Sequence, residues 1–306
     1  MADAAVGTLT DLGERLFACP EVAAIRGANS VAIVASGKAV ADAPTRFVVM
    51  SARRQPLSFG LCSTHVAPGF VDRAVAKAAE IRAALPADLG DAVLLPSATW
   101  LVDGCSAAIY PFLRTFREGR LSGRIHRMMY REAVLQWLHA AVSATRVDAN
   151  LRETRSLCDS LTGFPNMVPH VVSLGRDAIR ALDNGSWSPI TCVSHSDFWW
   201  GNVLPDSPHP AARFPFRIID WGGSSLEGFP GLDLLRALKS FQFSTRAARR
   251  HLAQHSQASS LSTPCLGFEL AAGLGRIAIN LEQFPADRFV TMCADCVRDF
   301  QGLAFA

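Results

Sequence analysis

Residues 194–204 read Ser-His-Ser-Asp-Phe-Trp-Trp-Gly-Asn-Val-Leu, and residues 218–221 read Ile-Ile-Asp-Trp. The polar pattern is His-x-Asp-x4-Asn, followed by an aspartate that ends a short apolar run. Phosphoryl transfer from ATP needs a carboxylate that orients the attacking hydroxyl and accepts its proton, together with oxygen ligands for the magnesium ions on the phosphates. Asp197 suits the first role, and Asn202 and Asp220 supply oxygen ligands of the kind that magnesium prefers.

In this order, the residues resemble the aminoglycoside phosphotransferase and choline kinase-like family, a branch of the protein-kinase-like fold. The resemblance rests on His195, Asp197, Asn202, Asp220-Trp221 and Gly231-Leu-Asp233-Leu234. Ser196 stands where the family usually has glycine, and the connection from Asn202 to Asp220 is slightly long. By resemblance, His195 and Asp233 are structural supports of the site.

The resemblance implies an α+β chain with a two-lobed protein-kinase-like fold. We expect residues 1–112 to form the nucleotide-binding lobe, a small antiparallel β lobe with one helix. Residues 113–306 are expected to form a larger, mainly helical lobe that holds the catalytic and metal-binding loops. Between its helices, residues 190–233 predict a non-helical region of short strands and turns.

Short apolar runs and turn residues dominate the first part of the chain. The runs Val31–Val34 and Arg46–Met50 flank a turn region around Gly37 and predict a hairpin. Apolar residues at helical spacing predict a helix from about residue 70 to residue 85, which Pro86 closes.

A second hairpin and several helices are predicted further along. Asp103-Gly104 indicates a tight turn between the apolar runs 92–95 and 106–112. Beyond residue 114 the pattern becomes helical. The helices predicted there cover Tyr130–Val142, 232–254, 266–283 and Phe289–Leu303.

The small lobe departs from the family at the lysine that should pair with the ATP phosphates and with a helix glutamate. After the strand 47–49 the chain has Met50-Ser51-Ala52-Arg53-Arg54, and Glu80 matches the glutamate by position. In one interpretation Arg53 or Arg54 replaces the lysine; in the other, both arginines lie on a solvated turn. A catalytically degenerate kinase-like binding or scaffolding protein is therefore the alternative to an active enzyme.

The resemblance also implies where the nucleotide binds. ATP is expected between the lobes, with its adenine against Tyr110-Pro111-Phe112, a segment similar to the family's hinge. Residues 26–30 resemble the phosphate-covering turn, and an ordinary hairpin entry explains them equally well. The implied activity is an ATP- and magnesium-dependent transfer of a phosphoryl group to a hydroxyl of a small molecule.

Composition excludes several other classes. A net charge of +3 gives no support to a nucleic-acid partner. No apolar run reaches the ~18 residues of a membrane helix, and residues 1–17 lack the pattern of a signal peptide, so we expect a soluble cytoplasmic protein with no membrane partner. The eight cysteines are spread singly, as is typical of reduced thiols.

Two short motifs are better explained by helix packing than by ligand binding. Cys293-Ala-Asp-Cys296 lacks the second pair of ligands that a zinc site needs. Gly273-Leu-Gly275-Arg-Ile-Ala278 resembles a dinucleotide fingerprint, but no strand precedes it. We expect both motifs to lie within helices.

Arginine recurs every three or four residues from position 114 to position 131, which predicts a basic helix face. The stripe consists of Arg114, Arg117, Arg120, Arg124, Arg127 and Arg131. It is either a solvated face or a surface that attracts an anionic acceptor. Both interpretations disfavour a polycationic aminoglycoside as acceptor, because several ammonium groups need clustered carboxylates.

Overall fold

The first part of the chain folds into a five-stranded antiparallel sheet. The computed structural model describes residues 11–34, 43–116, 120–206, 213–281 and 284–305. The strands are β1 (Ala28–Val34), β2 (Thr45–Ser51), β3 (Pro56–Cys62), β4 (Ala98–Val102) and β5 (Cys105–Pro111). Their order across the sheet is β1-β2-β3-β5-β4.

Both predicted hairpins are present, but the first strand of the second hairpin is not the one that was predicted. β1 pairs with β2 as predicted, while the turn around Gly37 lies outside the described residues. Asp103-Gly104 joins β4 to β5, and φ is positive at both turn residues, 50° and 74°, as tight hairpin turns require. Residues 92–95 were predicted as the first strand, but they contribute only a single bridge, from Val93 to Ile218.

Like β4, β3 is a strand of the sheet that the sequence patterns did not predict. It pairs with β2 on one side and with β5 on the other. Gly60 interrupts its apolar pattern, which weakens the strand signal. The structure explains this glycine, because a Cβ atom at position 60 would collide with the ring of Phe47.

The two faces of the sheet have different roles. On the outer face, Phe47 and Val49 are fully buried together with Leu16 and Val22. These last two residues belong to helix α1 (residues 11–18) and to the short helix α2 (Pro20–Ala23). Because side chains alternate along a strand, Arg46 lies on the opposite face, here called the inner face.

Helix α3 (Phe70–Ala84) confirms the predicted helix and links the two lobes. Its N-cap, Gly69, has no capping side chain. The N–H of Val71 therefore donates to Ser63 Oγ (2.9 Å), and the N–H of Asp72 donates to Ser106 Oγ (3.2 Å). These bonds satisfy donors that the helix itself leaves unpaired, and they attach α3 to β3 and β5. The short helix α4 (Ala87–Gly90) follows.

The second lobe is mainly helical. Its helices are α5 (Arg120–Thr145), α6 (Leu151–Thr162), α7 (Pro169–Asp183), α8 (Leu232–Ser240), α9 (Thr245–Ser259), α10 (Thr263–Ala278) and α11 (Ala286–Ala304). The single helix predicted over residues 232–254 is divided into α8 and α9. The chain turns between them at Gln242, whose φ is 56°.

The predicted non-helical region between α7 and α8 carries short strands. They are β7 (Ile190–Ser194), β8 (Val203–Pro205), β9 (Phe216–Ile218) and β10 (Ser225–Gly228), together with β6 (Val147–Asp148), which follows α5. β7 lies between β10 and β6, and β8 pairs with β9. Two single 3-10 turns, at Trp200–Asn202 and Trp221–Gly223, complete the region.

Helix packing accounts for the two motifs that resembled ligand sites. Gly275 lies on α10, where a Cβ atom would collide with the backbone of Leu157 on α6. Cys293 and Cys296 are buried on α11, and all eight cysteines are free thiols. Within the described ranges, no helix combines the length and apolar character that crossing a bilayer requires.

Candidate active site

The loop between β7 and β8 carries Asp197 and Asn202, and hydrogen bonds hold these two side chains together. Asn202 is buried, and its Nδ2 donates to the backbone oxygen of Asp197 (2.9 Å) and to Asp197 Oδ2 (3.2 Å). Both N–H donors of the amide are used in this way, so its oxygen, Oδ1, is the atom left to accept from or ligate another group. The carboxylate of Asp197 remains 47% exposed.

His195 links this loop to the segment that precedes Asp220. Its Nε2 donates to the carbonyl oxygen of Ile219 (2.8 Å), and its Nδ1 accepts from the N–H of Asp197 (3.3 Å). A carbonyl oxygen only accepts and a backbone N–H only donates, so the ring carries its proton on Nε2 and is neutral in this arrangement. The ring is buried and keeps the two segments in register.

Asp233 holds the same loop from below. It lies in the first turn of α8, and its Oδ2 accepts the N–H of His195 at 2.6 Å. Burial raises the pKa of Asp233, while the bond from the backbone N–H of His195 and the positive charge of Arg236 act in the opposite direction. The N-terminus of α8 favours a carboxylate at this position, because helix dipoles place partial positive charge there.

A backbone hydrogen bond brings the segment that contains Asp220 next to Asn202. The N–H of Ile219 donates to the carbonyl oxygen of Asn202 (3.0 Å). Asp220 has φ 65° and ψ 54° and begins the 3-10 turn that follows; aspartate is among the residues that adopt this left-handed conformation most readily. Trp221 is buried, and its Nε1 donates to the oxygen of Ile218 (2.9 Å), which anchors the turn and leaves Asp220 exposed.

Asn202 and Asp220 fit the ligand chemistry of magnesium. Magnesium is usually held by one or two protein oxygens, with water and nucleotide phosphates completing an octahedron. One amide oxygen and one carboxylate on adjoining segments match that requirement. In the part of the chain that the structure describes, no group of three or more His, Cys, Asp or Glu side chains forms a preformed metal cage.

Arg236 is a site residue that the sequence analysis did not identify. Its Nη2 forms an ion pair with Oδ1 of Asp197, and its Nη1 lies 3.5 Å from Met292 Sδ. It stands three residues after Asp233 on α8, and residues at this spacing share a helix face. The i, i+3 relation to Asp233 is the sequence signal that could have identified it.

Tyr110 connects the small lobe to this site. It lies on β5 opposite Phe59 of β3 and is partly buried. Burial, with a smaller contribution from the negative charge of Asp220, raises the pKa of Tyr110 to about 12. Phe112, also partly buried, lies in the segment between β5 and α5.

The other predicted nucleotide contacts lie at the surface. Arg53 and Arg54 are exposed in the turn between β2 and β3, and Glu80 is exposed on α3. In protein kinases the phosphate-binding lysine is on the third strand. The third strand here is Pro56–Cys62, and it contains no basic residue.

Arg46 is the only basic residue in the five strands of the sheet. It pairs with Leu61 of β3, and Val48, two residues on, pairs with Phe59, which in turn pairs with Tyr110. Paired residues share a face, so Arg46 and Tyr110 both lie on the inner face. The sequence analysis placed Arg46 in a strand without assigning it a role.

Comparisons with known proteins show the fold. No protein-family model and no curated protein matches the chain. Among solved structures, choline kinase LicA from Streptococcus pneumoniae is 13% identical, with a TM-score of 0.52 over 92% of this chain and 96% of that chain. The apo form of a thermostable mutant of aminoglycoside phosphotransferase APH(4)-Ia is 12% identical, with a TM-score of 0.52 over 94% and 98%.

A ternary complex of the same aminoglycoside phosphotransferase with ADP and hygromycin B gives a TM-score of 0.51 at 13% identity, over 91% of this chain and 97% of that chain. Identities this low establish architecture and not activity. The chain has the two-lobed, kinase-like α+β fold of the choline kinases and aminoglycoside phosphotransferases.

Proposed function

We propose that this protein is an ATP- and magnesium-dependent phosphotransferase that phosphorylates a hydroxyl group of a small molecule. The observation that carries the proposal is the hydrogen-bonded unit of Asp197, Asn202 and the Ile219-Asp220 segment. It joins a half-exposed carboxylate to two oxygen ligands on adjoining segments.

In this proposal Asp197 positions the acceptor hydroxyl and takes its proton as the oxygen attacks the terminal phosphorus of ATP. The bond from that phosphorus to the bridging oxygen breaks, and ADP leaves. Arg236 occupies one side of Oδ1, and Asn202 occupies one side of Oδ2. A carboxylate has about four acceptor positions, so these two bonds fix its orientation and leave room for a hydroxyl. Asn202 and Asp220 would hold magnesium, which neutralises charge on the phosphates when bound.

The nucleotide is assigned to the cleft between the lobes, below the inner face of the sheet. Its adenine would lie against the Tyr110–Phe112 segment. Arg46, the basic residue on that face, would approach the phosphates in place of the strand lysine. Arg53, together with Glu80, is the alternative that the sequence suggests.

The absence of a basic residue in β3 favours a second candidate, a kinase-like protein that binds or scaffolds without catalysis. Thermal unfolding with nucleotide, followed by an acceptor screen, separates the two. We would measure the melting temperature with ATP alone, magnesium alone and both together, for the wild type, Asp220→Ala and the control Asp177→Ala. Asp177 lies at the exposed surface of α7.

An enzyme should show stabilisation by ATP that requires magnesium and is lost in Asp220→Ala only. A ligand at a hundred times its Kd stabilises the folded state by about 2.7 kcal/mol. A screen of alcohol-bearing metabolites with labelled ATP then tests transfer. Nucleotide binding without transfer to any acceptor supports the scaffold, and the absence of both rejects the proposal.

A further inference from the structure

A cavity of about 150 Å³ opens between the first half of α5 and the connection from α8 to α9. Three arginines of α5 line it: Arg124, Arg127 and Arg131. Phe241, Gln242 and Ser244 line its other side. We call this cavity the arginine pocket. It brings together half of the arginine stripe of the sequence.

The positive charge of the arginine pocket is only partly compensated. No carboxylate from the described part of the chain lines it. The nearest acid that the structure pairs with these arginines is Glu132, whose Oε1 lies 4.0 Å from Nε of Arg131. Oε2 of Glu132 is shared with Arg250 (3.0 Å) and His251 (3.1 Å). Among the described residues, Nε of Arg131 is buried without a hydrogen-bond partner.

Aromatic rings hold two of the guanidinium groups in place. Arg127 lies 4.9 Å from the centre of the Trp200 ring, and Arg131 lies 4.8 Å from that of Phe243. Stacked arginines keep their N–H donors in the plane of the group, where they match the oxygens of a carboxylate or a phosphate. Ordering these groups in advance lowers the entropic cost of binding such a ligand.

The arginine pocket adjoins the proposed catalytic loop. Trp200, which packs against Arg127, follows Asp197 by three residues, and its N–H donates to Ser240 Oγ at the end of α8 (3.1 Å). Arg236, on the same helix, pairs with Asp197. Phe241 of the pocket stands five residues beyond Arg236, about 7.5 Å along a helix that rises 1.5 Å per residue.

We infer that the arginine pocket binds the carboxylate or phosphate of the acceptor, so that the substrate is an anionic alcohol such as a short sugar acid or sugar phosphate. This inference rests on the proposed function. Such a molecule would present its hydroxyl at Asp197, which pairs with Arg236, and its oxyanion at Arg127 and Arg131 in the pocket beside Phe241. Each oxyanion would receive charge-assisted hydrogen bonds from two stacked guanidinium groups.

Direct anion binding tests the pocket without relying on catalysis. The melting temperature would be titrated with inorganic phosphate and with gluconate, against chloride at equal ionic strength. The proteins are the wild type, the double variant Arg127→Gln/Arg131→Gln and the control Arg180→Gln, which alters an exposed arginine on α7. Arg127→Lys/Arg131→Lys is a second variant that keeps the charge and loses the bidentate geometry.

We expect a saturable rise in melting temperature for the wild type and the control. The anion concentration at half-saturation should be at least about tenfold higher in the glutamine variant, as expected for the loss of a charge-assisted bond, and intermediate in the lysine variant. The anion that binds more tightly, phosphate or gluconate, shows whether the pocket prefers a phosphate or a carboxylate. The absence of saturable binding, or equal binding by the glutamine variant, overturns the inference.

Acceptor kinetics test the substrate class. Glucose 6-phosphate, gluconate, glucose and glucosamine differ mainly in charge, and the wild type should use an anionic member with the lowest KM. The glutamine variant should raise that KM far more than it lowers kcat. A preference for glucose or glucosamine overturns the inference while leaving the proposed function intact. Anion binding without transfer to any acceptor refutes the proposed function and leaves the anion site standing.

Discussion

Asp197 has a different donor on each carboxylate oxygen, Arg236 on Oδ1 and Asn202 on Oδ2. Replacing it by asparagine keeps its size and removes the negative charge that orients the hydroxyl. We predict that Asp197→Asn lowers kcat at least ~100-fold, the usual minimum for a positioned base, with little change in melting temperature. Phosphoryl transfer within about threefold of the wild type would exclude Asp197 from the mechanism.

The matched control for this substitution is Asp183→Asn. Asp183 is an exposed carboxylate at the end of α7 that also pairs with an arginine, Arg155. An exposed ion pair contributes about 1 kcal/mol or less, so this variant should retain the activity and the melting temperature of the wild type.

Arg46 and Arg53 give opposite predictions, although both lie in or next to β2. Both side chains are exposed, but Arg46 is on the inner face of the sheet, whereas Arg53 is in the turn between β2 and β3. We predict that Arg46→Ala raises the KM for ATP at least ~10-fold, the effect of losing one charge-assisted hydrogen bond. Arg53→Ala should change it less than about threefold.

Steady-state kinetics at saturating magnesium provide this comparison. The reverse ranking would assign the phosphate contact to Arg53. If the double variant Arg46→Ala/Arg53→Ala keeps the ATP affinity and rate of the wild type, neither arginine replaces the strand lysine.

At the level of elements, the contact between α6 and α10 depends on a single glycine. At Gly275 a Cβ atom would overlap the carbonyl group of Leu157, whereas at Gly273 it would meet Phe229 Cβ at an ordinary 3.5 Å. We predict that Gly275→Ala destabilises the protein by about 2 kcal/mol or more through overpacking. Gly273→Ala should be neutral or stabilising by up to ~1 kcal/mol, since alanine favours helix.

Urea unfolding of both variants measures the difference. The pair is matched in helix, in chemistry and in change of volume. Equal stabilities for the two variants would show that the α6–α10 contact adjusts to an added methyl group.

Three histidines form a hydrogen-bonded cluster between α5 and α9, in which His251 and His255 are buried and His139 is partly buried. His251 Nε2 lies 3.1 Å from Glu132 Oε2 and 3.2 Å from Arg250 Nη2. His139 Nε2 lies 3.3 Å from His251 Nδ1, and its Nδ1 lies 3.0 Å from His255 Nδ1. Among the described residues, Nε2 of His255 is buried without a partner.

The histidine cluster should make stability depend on pH. Burial lowers the pKa of His139 to about 4 and that of His255 to about 3. Below about pH 6.5 the unfolded chain therefore binds protons that the folded protein does not, and stability falls as the pH falls. Each of these two histidines should lower the free energy of unfolding by about 2 kcal/mol between pH 7 and pH 5.

The buried Glu269 acts in the opposite direction, because burial raises its pKa to about 8. The contribution of the histidines is therefore measured as a difference between proteins. The change in unfolding free energy from pH 7 to pH 5 should be more favourable in His255→Gln than in the wild type. His170→Gln, which alters a histidine that does not contact His139, His251 or His255, should show the same change as the wild type. Identical changes in all three proteins would contradict the prediction.

At the level of the whole molecule, charge bears on the choice of acceptor. The net charge is +3, and the arginine pocket adds a local excess of positive charge beside the proposed catalytic loop. A ligand with several ammonium groups needs nearby carboxylates, since like charges repel strongly at close range. We predict that kanamycin-like compounds are poor acceptors. Kinetics on a panel of them would contradict this if phosphorylation saturated efficiently at micromolar concentrations.

The sequence alone singled out the loop residues, and it predicted the elements that depend on short-range spacing. Asn202 reaches Asp197 within one loop, and His195 reaches the backbone of Asp197 two residues away. Such contacts depend on residue type and separation along the chain, so the motif could be recognised without knowledge of the fold. Helix α3 and the β1–β2 hairpin could be predicted in the same way, because the spacing of apolar residues indicates the buried face of each element.

Only the tertiary structure decided which distant residues meet. Arg236 pairs with Asp197 across 39 positions, and the arginines of α5 become a pocket only because the α8–α9 connection closes over them. β3 could not be recognised from the sequence, because Gly60 interrupts its apolar pattern. The packing of Phe47 requires a glycine at this position. Side chains on paired strands share a face only after the register is set, and contacts between distant segments set that register. No local spacing in the sequence records them.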